Sequence, residues 1–333
     1  MSLAPVSRTV DLVLEASVVG SFSRIGSVVR AGLDDWPAIE DLPGAGRTVL
    51  VTGANSGLGY ATARGLLRAG AAVRLLVRTP EKAEATMAAL RDEIGGEPDL
   101  AAVTADLTDL TAVDAAAEAL LTRDEPLDAV VHNAGAMFPD RQLTDDGLER
   151  TYQVHVVAPH RLTVHLLDRL AASPHGRVVT VTSGGMYAEK LNAATVDSPG
   201  GYRPTVAYAR AKRAQVTLTA EWARRLAGRG IDFHVVHPGW ALTPGVESSL
   251  PGFRKVMGPL LRDADEGADT VVWATLSDEV HPSGRLWHDR RRRAAHKVPW
   301  TLPASGEADR LWRRVHHDAH TDPATLRALE VSR

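Results

Sequence analysis

Tyr208 and Lys212 stand four residues apart in Tyr-Ala-Arg-Ala-Lys, so a helix would put them on one face, one turn apart. A free phenol titrates near pH ~10, and a fixed cation beside it favours the phenolate. Such a pair could act as an acid/base near neutrality. Ser183, in Thr-Ser-Gly-Gly, offers a hydroxyl that could orient and polarise a carbonyl oxygen. Taken singly, these residues read equally well as a core tyrosine, a surface lysine and a loop serine. A second constellation is Thr52-Gly53-Ala54-Asn55-Ser56-Gly57-Leu58-Gly59-Tyr60. Glycines at 53, 57 and 59 allow positive φ and a close backbone approach to a pyrophosphate. A helix opening there would present free N–H groups and its positive dipole end to that anion.

The surrounding pattern says what must hold these groups. Short apolar runs at Thr48–Thr52, Ala72–Val77, Leu100–Ala105, Leu127–His132, Arg177–Thr182 and Asp232–His237 read as strands. Helical stretches begin near Leu58, cover Pro80–Ile94, Val113–Leu121 and about 148–171, and return at 206–227. Strands alternating with helices imply right-handed crossovers and a parallel sheet, and uninterrupted apolar strands imply cover on both faces. The expectation is one α/β domain with a doubly wound parallel sheet of the Rossmann type. The glycine turn then ends the first strand and opens the first helix, as dinucleotide binding requires.

The spacing Thr-Gly-x-x-x-Gly-x-Gly resembles the fingerprint of the short-chain dehydrogenase/reductase family, and four further motifs carry the likeness over residues 47 to 290. They are Asp106-Leu107 after the third strand, His132-Asn133-Ala134-Gly135 at the end of the fourth, Ser183 with Tyr208-x-x-x-Lys212, and Pro238-Gly239 with Thr243. A narrower likeness, through Ser183-Gly184-Gly185-Met186, Lys190-Leu191-Asn192, His237-Pro238-Gly239-Trp240 and Glu266-Gly267-Ala268-Asp269, is to the branch called dehydrogenase/reductase member 12, including an N-terminal helical extension.

The resemblance implies hydride transfer between a nicotinamide and a carbonyl or alcohol. Tyr208 would be the acid/base, Lys212 would lower its pKa and bond the nicotinamide ribose, and Ser183 would orient the oxygen. Gly53, Asn55, Ser56, Gly57, Leu58 and Gly59 would line the pyrophosphate turn. Asp106 and Leu107 would sit at the adenine, while Asn133, Ala134, Gly135, Pro238, Gly239 and Thr243 would complete the cofactor site. One position departs: in Thr151-Tyr152-Gln153-Val154-His155, the family usually carries Asn where this chain has His155. That Asn holds a helix distortion and links the lysine through water to a proton relay. His155 can donate and accept, but a cationic His155 beside Lys212 would be repulsive.

The second strand ends in Leu-Val-Arg78-Thr-Pro, with no carboxylate to accept bonds from a ribose 2′-hydroxyl. Arg78 can stack on adenine and pair with a 2′-phosphate, so NADP(H) is expected over NAD(H). Met137, Phe138, Met186, Tyr187 and Trp240 follow strands four to six and suggest a lipophilic substrate crevice at the strands' carboxyl ends.

Apolar residues make up 44% of the 333 and charged residues 24%, a globular balance, and the net charge of −3 recruits no nucleic acid. With no cysteine, disulfide scaffolds, thiol nucleophiles and Cys-ligated metals are excluded. His316, His317 and His320 lack metal-site spacing, so no metal is expected. No apolar window spans a bilayer, and Arg8, Asp11, Glu15 and Arg24 spoil a signal peptide, so a cytoplasmic protein is expected. Residues 6 to 33 carry Val6, Val10, Val13, Leu14, Val18, Phe22, Ile25 and Val29 at helical spacing. They read as a helix, or helix pair, packed on the main domain or a second subunit. Membrane-surface attachment is the other reading, but the polar face lacks Lys/Arg enrichment. A linker follows through residue 46. From about 290 the chain reads as a polar tail, with Arg290–Arg293 on a solvated face. By family analogy the long helices flanking the fifth strand pair copies into a homodimer or homotetramer. A catalytically weak NADP-binding sensor or interaction protein is the alternative, and a sugar-nucleotide epimerase is disfavoured by its different glycine spacing.

Overall fold

The computed structural model describes residues 5–242, 255 and 257–322, which leaves Thr243 outside the described residues. Seven parallel strands build the sheet: β1 (Thr48–Thr52), β2 (Ala72–Val77), β3 (Leu100–Thr104), β4 (Ala129–His132), β5 (Arg177–Val181), β6 (Asp232–Val236) and β7 (Arg285–His288). An eighth, β8 (Arg291–Arg293), returns antiparallel on β7, and the order is β3-β2-β1-β4-β5-β6-β7-β8. Because the chain winds one way through β2 and β3 and the other way from β4, a crevice opens beyond the carboxyl ends of β1 and β4.

Alternation along the strands divides the core. Val49 and Val51 of β1 pack under α4 (Gly57–Arg68), α5 (Pro80–Ile94) and α10 (Ala264–Leu276), with Leu66, Leu90 and Val272. Leu50 faces α6 (Leu110–Leu121), α8 (Ala158–Ala171), α9 (Pro204–Arg225) and α11 (Glu307–Asp318), with Leu162, Ala211 and Leu311. Local chemistry sets the helix starts. Thr79 caps α5 with Pro80 at its first position, and Asp109 caps α6, which therefore begins at Leu110 rather than Val113. Asp263 and Glu266 form a capping box on α10. The stretch expected as one helix over 148–171 is α7 (Arg150–Tyr152), a π-turn over Gln153–Val157, and then α8.

Two terminal regions differ from expectation. The N-terminal extension folds as α1 (Pro5–Ala16), α2 (Val18–Phe22) and α3 (Arg24–Asp34), docked on the main domain but turned inside out. Ser7, Ser21, Ser27 and Arg30 are buried, whereas Val6, Leu12, Val13, Ile25 and Val28 are exposed; among the described residues of α1 to α3, Phe22 alone of the large apolar residues points fully inward. After residue 290 the chain is the edge of the sheet and a core helix, which corrects the solvated-face reading. Arg290 pairs with Asp269 (2.7 Å), Arg291 with Asp34 (2.6 Å) and Arg293 with Asp11 (2.8 Å). Their partners lie 21 to 282 residues away, so the run looks unpaired when read locally. Leu311 and Trp312 of α11 are fully buried against α8 and α9. Among the described residues no helix is long and apolar enough to cross a membrane.

Candidate active site

The glycine turn is packed too tightly for side chains. Gly53 (φ +65°) and Gly57 (φ +53°) take the left-handed conformation, and a Cβ on Gly59 would lie 2.2 Å from the Gly53 carbonyl oxygen. Beside it, the Asn133 amide donates to the carbonyls of Thr52 (3.0 Å) and Gly53 (3.4 Å). Thr52 Oγ1 in turn accepts from the N–H groups of Asn133 and Ala134, both at 3.0 Å. These bonds stitch the ends of β1 and β4 together, so Asn133 and Ala134 build the turn rather than merely border it. The Ser56 side chain makes no cap bond at the start of α4, whose first-turn N–H groups and dipole face the turn. A glycine turn drawn this tight, with the first-turn N–H groups of α4 uncapped by Ser56, fits a dinucleotide pyrophosphate.

Arg78 sits exposed at the end of β2, its Nε 3.5 Å from Asp106 Oδ2. Burial raises the Asp106 carboxyl, but the N–H and hydroxyl of Thr108 and the nearby Arg78 outweigh it, and its pKa falls below the usual carboxylate value. Leu107 beside it is buried.

Ser183 follows β5, Tyr208 and Lys212 lie one turn apart near the start of α9, and the fold brings all three together. Burial raises the Tyr208 phenol's pKa, and the nearby Ser183 hydroxyl opposes that rise. Lys212 is buried, donates from Nζ to the Val181 carbonyl (2.9 Å) and lies 5.4 Å from the centre of the Tyr208 ring. Burial pushes its ammonium down to about 7. A lysine so poised can hold a charge beside the phenol or pass a proton within the physiological range.

His155 sits in the π-turn, its ring perpendicular to that of Tyr208 at 5.4 Å. Its Nδ1 lies 2.8 Å from the Thr151 carbonyl, an acceptor only, so Nδ1 carries the proton and Nε2 is left as an acceptor. That Nε2 is buried without a hydrogen-bond partner. Burial, then the Lys212 charge, hold His155 down to about 3, so the ring stays neutral and the repulsion feared from a cation does not arise. The Gln215 amide donates to the His155 carbonyl (2.9 Å). A buried cavity of about 30 Å³, room for one water, is lined by His155, His132 and Gln215 among others. Gly135 acquires a reason here: a Cβ on it would meet His155 Nε2 at 2.6 Å.

Not all of the expected crevice residues line a crevice. Met186 is fully buried in a small cluster with Val216, Val235 and Leu286, and belongs to the core. Tyr187 donates to the Ala294 carbonyl (3.0 Å) and packs on Phe22. Met137, Phe138 and Trp240 remain half-buried at the strand ends, Phe138 beneath the Arg150 guanidinium at 4.3 Å. Pro238 is buried and Gly239 (φ +80°) lies against Arg262, whose Nε would be 2.4 Å from a Cβ there. Sequence reasoning missed Thr52, Gln215, Arg262 and Phe22. Thr52 was within reach as the first letter of the glycine motif; the other three become visible only in the fold.

Comparison with known proteins agrees with this geometry. The family profile described as short chain dehydrogenase matches residues 47–252. Dehydrogenase/reductase SDR family member 12 of Bos taurus is 37% identical over 272 residues, 79% of this chain and 83% of its own. Retinol dehydrogenase 12 of Homo sapiens is 33% identical over 80% of this chain and 84% of its own. A crystal structure of a protein from Mycobacterium paratuberculosis superposes with a TM-score of 0.68 at 29% identity, covering 86% of this chain and 98% of that one. A structure assigned as an NAD(P)-dependent gluconate 5-dehydrogenase from Beutenbergia cavernae, with NADP bound, gives 0.60 at 27% identity over 74% and 95%.

Proposed function

Since the chain belongs to the short chain dehydrogenase family and is an oxidoreductase of that family, we propose that it uses NADP(H) to interconvert a lipophilic carbonyl compound and its alcohol. The observation that carries this reading is the Ser183–Tyr208–Lys212 group assembled beyond the same carboxyl ends of the strands as the glycine turn. A bound nicotinamide would supply or accept the hydride.

The chain's own residues do the rest. The turn at Gly53, Gly57 and Gly59 holds the pyrophosphate, with Asn55, Ser56 and Leu58 beside it and Asp106 and Leu107 at the adenine. Arg78 supplies a cation to a 2′-phosphate where a selective NAD(H) site would place a carboxylate. In reduction, Ser183 donates a hydrogen bond to the substrate oxygen and Tyr208 delivers its phenolic proton to that oxygen. In oxidation, the Tyr208 phenolate takes the proton back. Lys212 stabilises the phenolate by charge and holds the ribose. His155, fixed as a neutral acceptor by Thr151, takes the place of the relay Asn: its Nε2 orients a relay water by accepting its hydrogen bond, and the ring itself stays unprotonated. Retinol dehydrogenases among the relatives and the half-buried Met137, Phe138 and Trp240 favour a lipophilic substrate. Copies would pair through α8 and α9, with α11 folded over part of that face.

Titration with NADPH and NADH by fluorescence, followed by a carbonyl panel, tests the reading. Tyr208→Phe should bind NADPH within about twofold of wild type and lose about 10²- to 10⁴-fold in turnover. Oxidation of NADPH by Tyr208→Phe at the wild-type rate would remove Tyr208 from the chemistry, and tighter binding of NADH than NADPH would overturn the cofactor assignment.

A further inference from the structure

The turn between α2 and α3 reaches two loops beside the proposed reaction centre. Phe22 packs its ring on His237 (4.4 Å between centroids), His288 (5.3 Å) and Trp240 (5.9 Å), and its Cε2 lies 3.5 Å from where a Cβ on Gly184 would stand. Gly184 follows Ser183, and Trp240 follows Pro238-Gly239, so one buried side chain touches both loops that carry the proposed chemistry. Backbone bonds reinforce the contact: the Trp240 N–H donates to the Phe22 carbonyl at 2.7 Å. Arg262 then ties the turn to the same loop. It donates to the carbonyls of Ser21 (3.0 Å), Ser23 (3.2 Å) and Pro238 (3.5 Å), and pairs with the buried Asp289 at 2.5 Å. Arg30 of α3 donates to the same carboxylate at 2.5 Å.

We propose that the Ser21–Ser23 turn is a positioning part of the active site, with Phe22 setting the separation between the Ser183 loop and the Pro238-Gly239 loop. This rests on the oxidoreductase reading above. The inverted amphipathicity of the extension follows from that role: its polar face is spent on Arg262, Asp289 and the β8 arginines, and the one large apolar residue turned fully inward is the one between the loops. A displacement of the order of 1 Å at either loop is enough to cost a large factor in rate.

The test uses the full-length protein carrying Phe22→Ala, Phe22→Leu as the conservative variant, and Leu12→Ser on the exposed face of the same extension as a control. Phe22→Ala should lower kcat about ten- to a hundredfold with a smaller change in NADPH Kd, since the Pro238-Gly239 loop shifts while the glycine turn that holds the pyrophosphate lies elsewhere. Phe22→Leu should recover most of kcat, and Leu12→Ser should match wild type. Phe22→Ala with wild-type kcat and a lowered Tm would reduce Phe22 to a stabilising residue and overturn the proposal. Should Phe22→Ala fail to fold, a Phe22→Leu variant with wild-type kcat and KM across the panel would overturn it equally. A wild type that binds NADPH but reduces no carbonyl would count against the oxidoreductase reading alone, and hydrogen exchange then decides the bracing. In Phe22→Ala the amides of 184–187 and 239–241 should exchange about tenfold faster with those of 57–63 unchanged, and equal rates in both segments would overturn the proposal.

Discussion

At the β1–β4 end of the sheet the site is made by atoms that are missing, and at the β6–β8 end it is held by charges that are buried. Gly53 and Gly59 work because a Cβ on either would strike the Ala134 backbone or the Gly53 carbonyl, and the amide and hydroxyl bonds of Asn133 and Thr52 tie the turn. Asp289, by contrast, is 1% exposed and receives Arg30 and Arg262, with Arg291 and Arg293 pairing to Asp34 and Asp11 alongside. The first region tolerates no added volume, and the second tolerates no lost partner. A steric site is written in a few adjacent residues, whereas an ionic clamp is shared by segments far apart in the chain.

The largest expected effect breaks the second region. Asp289→Ala takes its carboxylate from the buried Arg262, and one of its carboxylates from Arg30, which keeps Asp11 at 2.7 Å, and should cost about 3–5 kcal/mol of stability, read as a shift in the urea midpoint. Burial raises the Asp289 pKa, but His288, Arg262 and Arg30 outweigh it and hold the carboxylate far below the ordinary range. Its contribution is therefore complete above the unfolded value near ~3.9 and is lost as pH falls below that. Gly59→Ala probes the first region. The methyl would meet the Gly53 carbonyl and the Asn133 amide at 2.2 and 2.4 Å. The turn must open, at a cost of about 1–3 kcal/mol, and NADPH affinity should fall at least about tenfold. A methyl tolerated with unchanged Kd would show that the cradle is not the cofactor site.

An acid titration sharpens the contrast in the interior. Burial holds His132 and His288 down to about 4 and, with Lys212, His155 to about 3, against an ordinary value of 6.5. Below pH ~6.5 the unfolded chain takes up protons that the folded chain refuses, so stability should drop steadily from pH 6.5 toward 4. In His155→Asn the slope should lessen by about one proton, and an unchanged slope would mean that His155 is already charged in the fold. The smallest effect is at the surface: Arg78→Ala should weaken NADPH about tenfold and leave NADH nearly unchanged, measured by fluorescence titration.

The first six strands were legible because parallel strands covered on both faces are near-continuous apolar runs. Thr48–Thr52 and Ala72–Val77 begin and end where the pattern says, and Ala129–His132 starts two residues after the expected Leu127. β7 and β8 were not legible. Arg285-Leu-Trp-His and Arg291–Arg293 carry no apolar alternation, and they are strands because Val235 and the carboxylates of α1 and α3 meet them. The stripe through Val6, Val13, Val18 and Ile25, all exposed, misled for the mirror reason: periodicity shows that a helix has two faces, not which one is buried.

The sequence by itself determined the turn chemistry, the strand–helix alternation and the Tyr208–Lys212 spacing, because each depends on neighbours within a few residues. Only the tertiary structure decided that His155 stays neutral with Nε2 as its acceptor, that Met186 is core, that Arg290, Arg291 and Arg293 are paired with distant carboxylates, and that Phe22 stands against the loops of Ser183 and Pro238. Those properties depend on desolvation and on partners brought from elsewhere in the chain, and a linear reading contains neither.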